Sequence, residues 1–168
     1  MPPTHPTPVR GTAHQHTIAS HHTLDDFLGY ENDALIARFR KDLGVDENEA
    51  SELFSDMKRF LWLTSLYDEP IAPPPKIDSA WHTFIIFTED YASFCTKYFG
   101  YFLHHRPRAP DDPSDGGVIM HRTIGAIEAH LRGFQSLSGN WSFPHLKEDG
   151  SCSSDSVSCA PTPSCNSN

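Results

Sequence analysis

Five side chains that can bind a metal ion or carry a proton lie in one aromatic-rich stretch, residues 77–107. They are Asp78, His82, Cys95, His104 and His105. Asp78 and His82 are four residues apart, so on a helix they lie one turn apart on the same face. If His104 or His105 meets this pair across the fold, two imidazoles and a carboxylate form a ligand set that suits iron or zinc. The sequence therefore predicts a divalent metal site in this stretch.

The same residues also have structural interpretations. Asp78 could accept hydrogen bonds from the free amides at the start of a helix while His82 bonds a backbone carbonyl. His104 and His105 are adjacent, so regular structure would point them in different directions, and only one of them is expected to reach His82. Otherwise they are histidines at the end of a helix, where the helix dipole favours them.

Neighbouring residues could support or extend the site. Trp81, Tyr91 and Cys95 are expected to pack around it, with Cys95 as a small buried apolar residue rather than a nucleophile. His121 and Glu128 lie seven apart on a later helix and could supply further ligands, although polar residues beside an apolar stripe are also typical of any exposed helix face.

Composition excludes several classes of function. The formal charge of −9 and the pI near 5.6 argue against nucleic acid and against anionic membranes, which both attract Lys and Arg. No segment approaches the roughly 18 apolar residues of a membrane span, and the N-terminus lacks the apolar core of a signal peptide. Three of the four cysteines lie in a C-terminal tail without the spacing of a disulfide or zinc framework. A cytoplasmic protein is therefore expected.

The distribution of apolar residues divides the chain into three parts. Residues 1–23 form a His/Pro-rich arm, residues 24–137 a helical domain and residues 138–168 a Ser/Cys-rich tail. Both ends lack periodic hydrophobic residues, so we expect them to be flexible or disordered. Four histidines of the first arm could bind divalent metal loosely, namely His14, His16, His21 and His22.

Hydrophobic periodicity predicts an all-α domain of about five short helices between flexible N- and C-terminal arms. Prolines in residues 68–76 and 106–117 indicate connectors, because proline lacks an amide donor and fixes φ. We expect Asp78 to cap the helix after the first connector. The predicted helical segments are residues 32–44, 46–67, 78–87, 88–99 and 120–134.

The stretch around the candidate site also resembles a known family. Its residues read D-S-A-W-H-T-F-I-I-F-T-E-D-Y-A-S-F-C-T-K-Y-F-G-Y-F-L-H-H-R-P. This is similar to bacterial members of the glycine-rich domain-containing protein-like family, whose pattern is approximately D-x-x-W-H-x-H-I-L-x-T-x-x-Y-x-x-x-C-x-x-x-F-G-x-x-x-H-H-x-P. The matching positions are Asp78, Trp81, His82, Ile85, Thr88, Tyr91, Cys95, Phe99, Gly100, His104, His105 and Pro107.

This resemblance covers residues 35–107 and implies a small helical domain without an established biochemical activity. The chain departs from the pattern at Phe84, where the family often has a second histidine, and at Ile86, where leucine is common. It also lacks the glycine-rich segment that names the plant members. Because residue 84 is phenylalanine, the chain lacks the second imidazole with which a W-H-x-H motif could bind a metal ion.

Three functions are compatible with the sequence. The first is a binding or accessory domain with an iron or zinc site. The second is a protein-interaction module, with an unknown protein partner, in which the Asp78/His82 network is structural. The third is a leader-like domain that carries a modifiable Cys/Ser-rich C-terminal peptide. The sequence shows no nucleophile–base pair and no phosphate loop, so it does not decide whether the protein is an enzyme.

Overall fold

A computed structural model describes residues 22–105, 116–131 and 137–143. Within these ranges the chain is all-α, as predicted, and contains no strand. Its elements are α1 (Leu24–Leu28), α2 (Asp33–Leu43), α3 (Glu47–Ser65), α4 (Pro75–Ile86), α5 (Thr88–Tyr98), α6 (Gly116–His130) and a 3-10 helix (Gly139–Trp141). In the described part of the chain, no helix has both the length and the apolar character needed to cross a membrane.

Capping boxes define where α1 and α3 begin. Thr23 and Asp26 bond reciprocally at the start of α1, and Asp46 and Glu49 do so at the start of α3. Each box satisfies backbone amides that have no partner within the helix. The start of α3 at Glu47 agrees with the helix predicted over residues 46–67. The sequence does not predict α1, because a helix of five residues is too short to show a helical period.

The central element is α3, which packs against α1, α2, α4 and α6. Its apolar residues point to more than one side of the helix and are almost fully buried. They are Ala50, Leu53, Phe54, Met57, Phe60, Leu61 and Leu63. Because a helix with a wide apolar surface must be covered by several neighbours, the other helices assemble around α3.

Aromatic side chains hold α5 against α1 and α4. The ring centroid of Phe94 lies 4.9 Å from that of Tyr30 and 5.3 Å from that of Phe84. Phe27 of α1 lies 5.7 Å from Phe94, again edge to face. This arrangement adds a favourable electrostatic contribution to the burial of apolar surface. The three helices therefore share one aromatic cluster.

The buried cation Lys58 fixes the turn between α1 and α2. Its Nζ donates hydrogen bonds to the carbonyl oxygens of Leu28 at 2.7 Å and Tyr30 at 2.8 Å, and it lies 4.3 Å from the centroid of the Phe54 ring. Burial lowers the pKa of Lys58 to about 8, because desolvation disfavours the ammonium form. The hydrogen bonds satisfy two carbonyl groups near the end of α1.

A buried carboxylate binds the segment that follows α6. Asp56 is 1% exposed and accepts hydrogen bonds from Ser138 Oγ at 2.5 Å and from Asn140 Nδ2 at 3.0 Å. The Arg59 guanidinium donates to the same carboxylate at 2.7 Å. Since a buried charge is tolerated only when it is paired and hydrogen-bonded, these three donors account for its position.

The folded domain consequently extends beyond the predicted boundary at residue 137. Trp141 and Phe143 are buried, although their segment was assigned to the disordered tail. Composition alone misplaces this boundary, because Ser, Gly and Asn are typical of tails but here supply hydrogen-bond donors to α3. The rest of the predicted tail, residues 144–168, and residues 1–21 of the predicted arm lie outside the described residues.

Asp56→Ala is expected to lower the free energy of unfolding by about 2–4 kcal/mol, because it leaves Ser138 and Asn140 without their acceptor. Urea denaturation followed by circular dichroism measures this loss. Glu52→Ala is the matched control, since Glu52 is exposed one turn earlier on α3 and should change stability by less than about 0.5 kcal/mol. Equal losses in the two variants would contradict the role given to Asp56.

Candidate metal centre

The helix that carries Asp78 and His82 begins at Pro75, three residues earlier than predicted. Pro75 occupies the first helical position, where its fixed φ suits a helix and its missing N–H is not needed. The Asp78 N–H donates to the Pro74 carbonyl at 2.8 Å, and no side chain caps the helix. The expectation that Asp78 caps α4 is therefore wrong. Its carboxylate lies inside the first turn and is available to other partners.

A turn after α5 brings the segment that contains His104 and His105 back to α4. Gly100 has φ +73°, a left-handed conformation that residues with a side chain rarely adopt. Beyond it, the buried Tyr91 hydroxyl donates to the Leu103 carbonyl at 2.6 Å and accepts from Trp81 Nε1 at 3.0 Å. The carbonyl of Leu103 was not identified from the sequence, because a backbone acceptor leaves no mark in the side-chain pattern.

Asp78, His82 and His105 converge at this point, and we call them the His–Asp cluster. His105 Nε2 donates to Asp78 Oδ1 at 2.8 Å. His82 Nδ1 donates to the Asp78 carbonyl oxygen at 2.8 Å and lies 3.3 Å from Asp78 Oδ2. The two imidazole centroids are 4.1 Å apart, and one ligand atom from each residue lies within 4.8 Å of the others. The predicted meeting of imidazoles from two segments beside Asp78 is present in the fold.

The cluster has a closed side and an open side. His105 lies against the Trp81 ring, with centroids 4.5 Å apart, and its side chain is only 12% exposed. The side chains of Asp78 and His82 are 35% and 50% exposed. The Trp81 ring therefore covers His105, whereas solvent reaches Asp78 and His82.

The remaining candidate ligands lie elsewhere. His104 is exposed, and its ring contacts Phe102 at a centroid distance of 4.9 Å. His121 and Glu128 are exposed on α6. Among the described residues, the group of potential metal ligands that includes His82 contains none of these three. Of the two adjacent histidines, His105 is the one that joins the cluster.

Tyr91 and Cys95 lie behind the cluster in the apolar interior. Burial raises the pKa of the Tyr91 hydroxyl above its usual value, so the hydroxyl keeps the proton that it donates to Leu103. Burial also raises the pKa of the Cys95 thiol, which lies beside Tyr91 and the Leu103 backbone. A protonated, fully buried thiol is neither a good nucleophile nor a ready metal ligand. These features favour the structural interpretation of Cys95.

The donor atoms of the His–Asp cluster are compatible with one bound ion. In a zinc site, the distance from each ligand atom to the ion is about 2.0–2.2 Å, so two ligand atoms of the same ion lie about 3–4 Å from each other. The carboxylate-to-imidazole distances of 2.8 and 3.3 Å are close to this range, and the ligand atoms of all three residues lie within 4.8 Å of one another. To bind an ion, the ring nitrogen that now donates must present a lone pair, which a neutral imidazole does by carrying its proton on the other ring nitrogen.

Comparison with known families identifies the chain. Residues 22–112, just over half of the chain, match the family model UCP032817-like. The chain belongs to the UCP032817-like family. No curated protein and no solved structure matches the sequence significantly. The UCP032817-like segment contains all three residues of the His–Asp cluster.

The resemblance to the glycine-rich domain-containing protein-like family is wrong, because the family that matches this region is UCP032817-like. Position 84, where the chain departs from that family's pattern, belongs to the core. Phe84 is fully buried and packs its ring against Tyr91 at 5.1 Å, so this position faces the core and not the His–Asp cluster. Several of the matching positions are buried as well, namely Trp81, Tyr91, Cys95 and Phe99, so they record how helices pack.

Tyr91→Phe is expected to lower the free energy of unfolding by about 1–3 kcal/mol, because it leaves the buried Trp81 N–H and Leu103 carbonyl without a partner. Urea denaturation monitored by tryptophan fluorescence measures the change. Tyr67→Phe is the control, since Tyr67 is half-buried against His130, and it should change stability by less than about 0.5 kcal/mol. A Tyr91→Phe variant as stable as this control would show that the hydroxyl does not hold the segment.

Cys95 is expected to resist alkylation in the native protein, because its thiol is buried and its pKa is raised. The experiment uses a variant with Cys152, Cys159 and Cys165 replaced by serine, treated with iodoacetamide at pH 8 and analysed by mass spectrometry. Unfolding in urea should restore rapid labelling. Equally rapid labelling of the native and unfolded variant would contradict the buried position.

Proposed function

We propose that this protein is a small helical binding or accessory domain that holds one divalent ion, iron or zinc, at Asp78, His82 and His105. The observation that carries the proposal is the convergence of the three side chains to within 4.8 Å, measured between their ligand atoms. His82 and Asp78 come from one helix, while His105 comes from a separate segment 23 residues after His82. Helix geometry alone explains the first pair but not the arrival of His105.

The chemistry of the donors supports iron or zinc over magnesium or calcium. Imidazole nitrogen suits zinc, iron, copper and nickel, whereas magnesium and calcium prefer sites made only of oxygen. The cluster offers two imidazoles and one carboxylate, a combination found in zinc and non-haem iron sites. The Trp81 ring beside His105 limits the rotation of one ligand, which favours a defined geometry.

A protein-interaction module without metal is the second candidate. The observation in its favour is that both imidazoles already have hydrogen-bond partners in Asp78, so the network is satisfied without an ion. In this alternative, Asp78, Trp81, His82 and Tyr91 serve only to fix the packing of α4 and α5. An unknown protein partner would be recognised through surfaces that include the connector of residues 106–117 and the two arms, which lie largely outside the described residues.

The remaining sequence hypotheses concern the ends of the chain and the location of the protein. The leader-like function rests on tail residues outside the described ranges. We retain a cytoplasmic location as part of the proposal, and the free, buried Cys95 is consistent with a reducing compartment.

The metal proposal predicts one equivalent of zinc or iron per chain after the purified protein is loaded and dialysed. His82→Ala, His105→Ala and Asp78→Asn should each weaken binding by more than the roughly 10- to 100-fold that loss of a supporting hydrogen bond costs. Inductively coupled plasma mass spectrometry gives the metal content, and competition with a chromophoric chelator gives the affinity.

His104→Ala is the matched control, since this exposed histidine is adjacent to His105 but outside the cluster, and it should keep the affinity of the unaltered protein. A full-length variant with His14, His16 and His21 replaced by alanine tests for loose binding by the N-terminal histidines. Metal that stays with His82→Ala but is lost from this variant would refute the proposed site. Absence of metal together with a large stability loss in His82→Ala would favour the interaction module.

A further inference from the structure

The uneven exposure of the His–Asp cluster determines what a bound ion could reach. His105 is 12% exposed and is covered by Trp81, whereas the side chains of Asp78 and His82 are 35% and 50% exposed. An ion held by all three residues would contact the protein on one side and solvent on the other.

The described residues supply three donors, fewer than such an ion requires. Zinc takes at least four ligands, and iron bound by two histidines and one carboxylate keeps further open positions. The described residues provide three donors at this place, because His104 lies against Phe102 and His121 and Glu128 are outside the cluster. Among the donors of the described residues, at least one coordination position would thus remain, and it would face the solvent that reaches Asp78 and His82. Structural zinc sites differ in this respect, since their four positions are filled by protein.

We infer that the ion bound at the cluster takes a small exogenous anion at its solvent-facing side, which makes this an open site and not a structural one. The inference rests on the proposed metal-binding function. Charge specifies the ligand class. A divalent cation, one carboxylate and two neutral imidazoles leave a net charge of about +1 at the site, which favours an anionic donor such as a carboxylate or hydroxide.

Cobalt(II) and azide test this inference on the full-length protein. Cobalt has visible absorption bands that change with its ligands, and azide is a small anion that can occupy a single position. The protein is loaded with cobalt, freed of excess metal by dialysis and titrated with azide. The expected result is a saturable shift of the visible bands that fits one azide per cobalt.

The outcomes separate this inference from the proposed function. Stoichiometric cobalt whose spectrum does not respond to azide would overturn the open site and leave the metal site intact. Failure of the unaltered protein to bind cobalt would overturn the metal site and this inference with it.

His104→Ala provides the control for a hidden fourth protein ligand. Because His104 is exposed and outside the cluster, the variant should show the same cobalt spectrum and the same azide titration as the unaltered protein. A changed cobalt spectrum without azide, in a variant whose circular dichroism is unchanged, would show that His104 fills the open position and would overturn the inference.

Discussion

The hydroxyl group of Tyr91 is the interaction on which the geometry of the candidate centre depends. It accepts a hydrogen bond from Trp81 on α4 and donates one to the Leu103 carbonyl, so three parts of the chain meet at one buried atom. In an apolar interior, loss of this hydroxyl would leave both partners unsatisfied. The chain direction at Leu103 is thereby fixed, and with it the position of His105 two residues later.

The three residues of the His–Asp cluster owe their proximity to different causes. Asp78 and His82 are neighbours in any helix, and their hydrogen bond requires only local geometry. His105 arrives through tertiary structure, and it depends on the Tyr91–Leu103 hydrogen bond and on the Trp81 ring that covers its imidazole. The local pair is therefore independent of how α5 packs, whereas the complete cluster requires α5 and the following turn to be in place.

This difference explains how much the sequence could predict. Helical periods identified α2 to α6, and residue spacing identified the pair of Asp78 and His82, because both follow from the geometry of one element. The choice between His104 and His105 could not be made, since adjacent identical residues give no local signal and the choice depends on a backbone carbonyl at Leu103. The predicted start of α4 was three residues too late, because the prolines before it were interpreted only as helix breakers. Proline is in fact favoured at the first helical position, which Pro75 occupies.

The core of the domain borders the candidate centre at Trp81 and Tyr91 and extends far beyond it. The largest fully buried side chains come from α1 to α5 and the 3-10 helix, and they include Phe27, Phe60, Phe94 and Trp141. Small domains that fold only with a metal generally lack such a core, and their binding energy is folding energy. Here the backbone positions of all three residues of the His–Asp cluster are set by helix packing and by the Tyr91 hydroxyl. The cluster is consequently preorganised by the fold, and under the proposed function an ion would add coordination chemistry to a structure that already has its stabilising contacts.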